Sequence, residues 1–175
     1  MSALTRAPSN TNLLQPSKFI LAFNRLPTVQ FFCQEANLPG VTLGATEFVT
    51  PLRNVPIAGS KLSYNEFDIT FMVDEQLQSW NEIYKWLLAI GSPKSTDERQ
   101  RFNTLQNEYA TIPSYYSDAN LTIMSALNNP LLRVNFMRMF PISISDIKFD
   151  TQLSADTIVT ATATFQYEYF EITPA

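Results

Sequence analysis

The chain has 175 residues and 19.9 kDa, the span of one domain, and 45% apolar against 16% charged residues is enough to bury a core. Histidine is absent and Cys33 is the sole cysteine, which excludes an intrachain disulfide, the usual thiolate and imidazole metal sets, and any histidine-activated nucleophile. A net charge of −4 with 12 scattered Lys and Arg argues against wrapping nucleic acid; it is compatible with a wall past which DNA slides, and solubility explains it equally well.

Residues 1–17 are polar with interspersed proline and read as an N-terminal arm, leaving 18–175 as one β-rich domain. The arm lacks the apolar stretch of a secretory signal, and no run approaches the roughly 20 residues that span a bilayer, so a soluble protein made in the cytoplasm is expected, without membrane insertion. Residues 18–24 (KFILAFN) and 29–35 (VQFFCQE), separated by Leu26-Pro27, predict a hairpin. Asn37-Leu38-Pro39-Gly40 predicts a turn.

Residues 46–60 are unusual. Pro51, Pro56 and Gly59 interrupt the apolar residues Phe48, Val49, Leu52, Val55 and Ile57. Proline removes ladder donors, which argues against a central strand, yet the stretch is too apolar for a free loop. It demands a cover, supplied either by another subunit or by its own core. Residues 62–73 alternate with a parity change near Asn65-Glu66, which predicts a β-bulge.

The period then changes. Asp74 can cap a helix over about residues 74–90, with Leu77, Trp80, Tyr84 and Leu87 on its apolar face, Ile83 and Leu88 flanking, and Gly91 and Pro93 as the stop. Residues 92–117 read as a connecting excursion with a short helical turn around 96–102. Residues 119–127 and 132–140 flank Asn128-Asn129-Pro130 and predict a second hairpin, and 142–149 a further strand. In the last run, 157–172, Val159, Ala161, Ala163, Phe165, Tyr167 and Tyr169 share one face, and Thr160, Thr162, Thr164, Gln166 and Glu168 the other. The expected fold is mainly β: two packed antiparallel sheets, sandwich or barrel-like, with one flanking helix.

The acidic candidates Asp74-Glu75, Asp97-Glu98 and Asp146/Asp150 read as a helix start, a solvated turn and a hairpin end, so no catalytic, cofactor or metal residues are assigned. The four glycines form no phosphate-binding loop. Cys33, beside Phe31 and Phe32, reads as a small buried residue.

Taken in order, CQEANLPG (33–40), GSKLSYNEFDITFMVDE (59–75), the helix with Trp80 and Trp86, Phe140-Pro141 and the aromatic terminal strand resemble the tail tube proteins of contractile-tailed bacteriophages. That resemblance implies a non-enzymatic virion subunit whose hexameric rings pair sheet edges and stack into a hollow tube. Its partners would be itself, the sheath, the tape-measure protein and baseplate or neck proteins, with DNA passing through unbound. It also places residues 46–57 where the family reaches toward the next ring, making Phe48, Val49, Leu52, Arg53, Val55 and Ile57 the expected ring-stacking surface. The arm and the 92–117 excursion match no standard tube element, which keeps a tube initiator, baseplate hub or neck ring open. Outside the family, the alternative is a monomeric carbohydrate-binding sandwich using Tyr115, Tyr116, Tyr167 or Tyr169 as stacking platforms.

Overall fold

The computed structural model describes residues 12–91, 115–152, 154 and 157–175. The short helix expected near 96–102, Pro93 and most of the arm lie outside them. Two helices and nine strands follow in the order β1 (Phe19–Phe23), α1 (Pro27–Phe32), β2 (Cys33–Ala36), β3 (Val41–Val49), β4 (Asn54–Tyr64), β5 (Phe67–Met72), α2 (Gln78–Gly91), β6 (Ser117–Met124), β7 (Pro130–Ile144), β8 (Thr160–Gln166) and β9 (Tyr169–Pro174).

Seven strands form one antiparallel system in the order β1-β6-β7-β8-β5-β2, with β9 added on β7. The long strand β7 belongs to two sheets, because its first part pairs with β6 and β9 and its last part, from Phe140, pairs with β8. The corner lies at Arg138, where β7 carries one residue more than β6 and the backbone enters the left-handed region at φ 53. The Asp118 carboxylate accepts the Arg138 amide at 3.0 Å, and the guanidinium lies 5.2 Å from the centre of the Tyr116 ring and 3.2 Å from Glu168. These contacts hold the bend that folds one sheet over the other.

The two inner faces meet in an aromatic core. Leu21, Phe23, Ala119, Leu121, Val134 and Phe136 from one sheet bury against Phe67, Ile69, Phe71, Ala161, Ala163 and Phe165 from the other. Phe67 lies 4.5 Å from Phe136 and Phe23 5.5 Å from Phe165, centre to centre. The expected alternation in β8 holds: Ala161, Ala163 and Phe165 are buried, whereas Thr160, Thr162 and Gln166 face water.

Several boundaries differ from the sequence reading. Residues 29–35 do not return as the partner of β1, because Pro27 supplies the preset φ of a first helical position and starts α1. The chain then enters the opposite sheet as β2, paired with β5. Among the described residues the helices therefore number two, and the longer begins at Gln78, four residues after its cap. Asp74 accepts the Gln78 and Ser79 amides at 2.9 and 2.8 Å and also the Ser79 hydroxyl, across a turn in which Leu77 has φ 55. The buried face is Ser79, Ile83, Trp86 and Ala89, one step round from the face expected, and Leu77 and Tyr84 lie at its exposed rim. The parity change at Asn65-Glu66 is a passage between sheets, from β4 into β5, and not a bulge within one strand. Residues 142–149 contribute only the end of β7, and the terminal run divides at Tyr167 into β8 and β9, one in each sheet.

Candidate functional site

The proline-broken stretch forms β3 and β4, a two-stranded ribbon that pairs with no other strand among the described residues. In such a ribbon alternate amides point away from the partner, so Pro56 fits inside β4, opposite Glu47. Residues 50–53 make the tip. There the Thr50 amide donates to the Arg53 carbonyl at 3.1 Å, and the Arg53 amide donates to Thr50 Oγ1 at 3.2 Å. Asn54, paired with Val49, donates diagonally to the Glu47 carboxylate at 2.9 Å.

Side chains that are directly opposite share a face. The register Thr46↔Ile57 and Phe48↔Val55 therefore places Phe48, Val55 and Ile57 together, while Val49 points to the other side and Leu52 and Arg53 occupy the tip. Phe48 is 59% exposed, Ile57 52%, Val49 73% and Leu52 96%, so the hairpin does not fold back over its own core. The structure thus brings together three of the six expected surface residues on one face and puts the other three at or beside the tip. The prolines were read as arguing against a central strand, which a two-stranded ribbon does not contain, but the sequence reading missed that the stretch is a paired ribbon.

The root is held by rings and by polar contacts. Tyr64 lies 5.9 Å from Tyr167 and 5.6 Å from Phe170, and the Tyr167 hydroxyl donates to the Asn65 carbonyl at 2.8 Å. Burial, with the neighbouring Tyr64, pushes the Tyr167 hydroxyl up to about 12. Tyr167 is thus a packing residue, and Tyr116 stands edge-on to Phe140 under Arg138, so neither presents a free stacking platform. Tyr115 is half-buried, with its carbonyl accepting the Trp86 indole, and Tyr169 is paired to Met137 in β9.

Asp74 is engaged as a helix cap, and Asp146 and Asp150 are exposed in the segment after β7. No group of three or more Cys, Asp or Glu among the described residues is arranged to hold a metal ion. Burial pushes the Cys33 thiol up to about 11, against a smaller lowering by its hydrogen bond to the Glu35 carbonyl, so the protonated thiol persists at neutral pH. Among the described residues no helix is long and apolar enough to cross a membrane.

Fold and site together define a class: a small antiparallel sandwich that displays an apolar ribbon outside its core. The profile of the family described as phage tail tube protein matches residues 9–173, and the chain belongs to that family, whose members are structural components of the virion tail. Its relatives include the tail tube terminator protein of Enterobacteria phage T4, 25% identical over 170 residues that cover 92% of this chain and 89% of that one. The same fold occurs in the tube-terminating cap of the anti-feeding prophage, with TM-score 0.61 and 14% identity over the whole of both chains. It recurs in the sheath/tube terminator structure of an extracellular contractile injection system, with TM-score 0.56 and 13% identity over 93% of this chain and 97% of the other. The chain is thus a phage tail tube family protein, similar over most of its length to a tube terminator.

Proposed function

We propose that this protein forms a ring that closes an end of a contractile phage tail's tube, docking on the adjoining ring through the β3–β4 hairpin. The observation that carries the reading is the hairpin's apolar face, with Phe48 and Ile57 more than half exposed on a ribbon that no other strand among the described residues pairs with. Covering those side chains removes apolar surface from water at roughly 25 cal/mol per Å², repeated in every subunit of a ring. Val49, Leu52 and Arg53 at the tip complete the ring-stacking surface. The terminator relative, matched over 89% of its length, favours the end of the tube over its repeating length, and among the tiers open to the family it favours a neck or terminating ring.

Within the ring, one sheet offers the means of closure. Its order β1-β6-β7-β9 leaves β1 and β9 without an outer partner among the described residues, and pairing the β1 of one copy with the β9 of the next generates a closed heterologous assembly. Six copies would close it. The outer face of this sheet carries Asn120, Thr122, Arg133, Asn135, Glu171 and Thr173 beside Ile20 and Ala22 of β1, a mainly polar surface in which Arg133 and Glu171 balance each other's charge. Facing the lumen, it would let DNA pass without adsorbing. The role is structural and not catalytic; the partners are copies of this chain, the tube, sheath and tape-measure proteins, and neck or baseplate components. Assembly takes place in the host cytoplasm.

The test is Phe48→Asp, Val55→Asp and Ile57→Asp, each assayed for folding by circular dichroism and for ring and tube attachment by sedimentation. A charge buried between rings is expected to abolish attachment while leaving the fold intact. Normal attachment by all three variants would remove the hairpin from the interface.

A further inference from the structure

The hairpin is two ribbons joined by a slip in register. Leu43 pairs with Leu62 and Ala45 with Ala58, so Gly44 alone on β3 faces Gly59, Ser60 and Lys61 on β4. The ladder is interrupted there, and the two glycines pass at backbone contact: a Cβ on Gly59 would stand 2.4 Å from the Gly44 carbonyl oxygen. Neither glycine has a positive φ, so what requires glycine at position 59 is the close approach and not the dihedral.

Either side of the crossing is held by its own contacts. On the root side, Tyr64 packs on Tyr167 and Phe170, and the Asn65 amide donates to the Gly40 carbonyl at 2.9 Å. On the tip side, pairing runs without a slip from Ala45↔Ala58 to Val49↔Asn54 and is closed by the Thr50–Arg53 and Glu47–Asn54 contacts. We propose that the Gly44–Gly59 crossing is a hinge, about which the hairpin tip swings as a preformed unit while the root stays fixed to the sandwich. A docking partner then sets the angle of the tip without having to order it, which avoids the conformational entropy cost of folding a loop on binding. The hinge is a property of the free subunit and holds whether or not the tip is the ring-stacking surface.

The experiment measures spin-label distances on the full chain in a Cys33→Ser background. One pair joins the tip to α2 (Leu52→Cys with Lys85→Cys), and a control joins the root to α2 (Leu62→Cys with Lys85→Cys). The tip distribution is expected to be at least about twofold broader than the root distribution, because a swinging unit spreads over several ångströms. Gly59→Ala should shift the mean of the tip distance, because its Cβ must displace the Gly44 carbonyl, and leave the root distance unchanged. Equal widths for the two pairs in the Gly59 parent would overturn the hinge. Should Gly59→Ala fail to fold, the comparison of widths alone decides.

Discussion

Replacing Trp86 by alanine removes the largest side chain of the core. Its ring is 1% exposed, lies 6.2 Å from Phe165 and 5.7 Å from the Arg25 guanidinium, and its Nε1–H donates to the Tyr115 carbonyl at 2.9 Å. Truncation opens a cavity between α2 and the sandwich and deprives a half-buried carbonyl of its donor, for a loss of about 3 to 5 kcal/mol. At about 2 to 4 °C per kcal/mol for a chain of this size, the midpoint should fall by roughly 6 to 20 °C. Trp86→Phe keeps most of the packing and loses the hydrogen bond, which should cost about 1 to 3 kcal/mol. Trp80, at the rim and stacked on exposed Tyr84, should cost less than Trp86 when cut to alanine. Chemical denaturation with calorimetry measures all three. A Trp86→Ala midpoint within about 2 °C of the parent would refute the placement of that ring under the sandwich.

Asp74→Ala should destabilise by about 0.5 to 2 kcal/mol at pH 7 through loss of the helix cap. Desolvation raises the Asp74 carboxyl, but the hydrogen bonds from Ser79 and Gln78 together outweigh it and hold the group down to about 2. A carboxylate depressed in the folded state stabilises above its unfolded value of about 3.9, so the gap between parent and variant should close as pH falls from about 4 to about 2. A pH-independent gap in urea titrations would contradict the cap. Native Cys33 should alkylate with iodoacetamide far more slowly at pH 8 than the denatured chain, given a thiol pushed up to about 11; equal rates would mean that it is open to solvent. Tyr167→Phe should lose about 0.5 to 1.5 kcal/mol with its bond to the Asn65 carbonyl, and a neutral result would release the hairpin root from that anchor.

The features legible in the sequence were those fixed by local chemistry. Asn128 does take the left-handed conformation, at φ 62, in the turn between β6 and β7. Asp74 does cap α2, and the Thr face of β8 is the wet one. What the sequence concealed depends on partners far along the chain. Residues 29–32 are apolar enough for a strand, and only Pro27 hints that they begin as a helix buried through Val29. The face of α2 was misplaced because Ser79 looks polar yet is fully buried, its hydroxyl satisfied by Asp74 and the Met72 carbonyl. The terminal run alternates without a break, so nothing local marks the change of sheet at Tyr167, which the packing of Tyr64, Phe136 and Phe170 imposes. At the hairpin, the composition pointed to an uncovered apolar element, but its pairing register and glycine crossing belong to the backbone alone.

The most direct test of the central claim is electron microscopy of the purified protein mixed with tubes assembled from the repeating subunit of the same tail. A closed ring at tube ends, absent along the shaft and lost in the Ile57→Asp variant, is the predicted result. Monomers that leave tube ends bare, or a protein that builds long tubes by itself, would contradict a terminating ring.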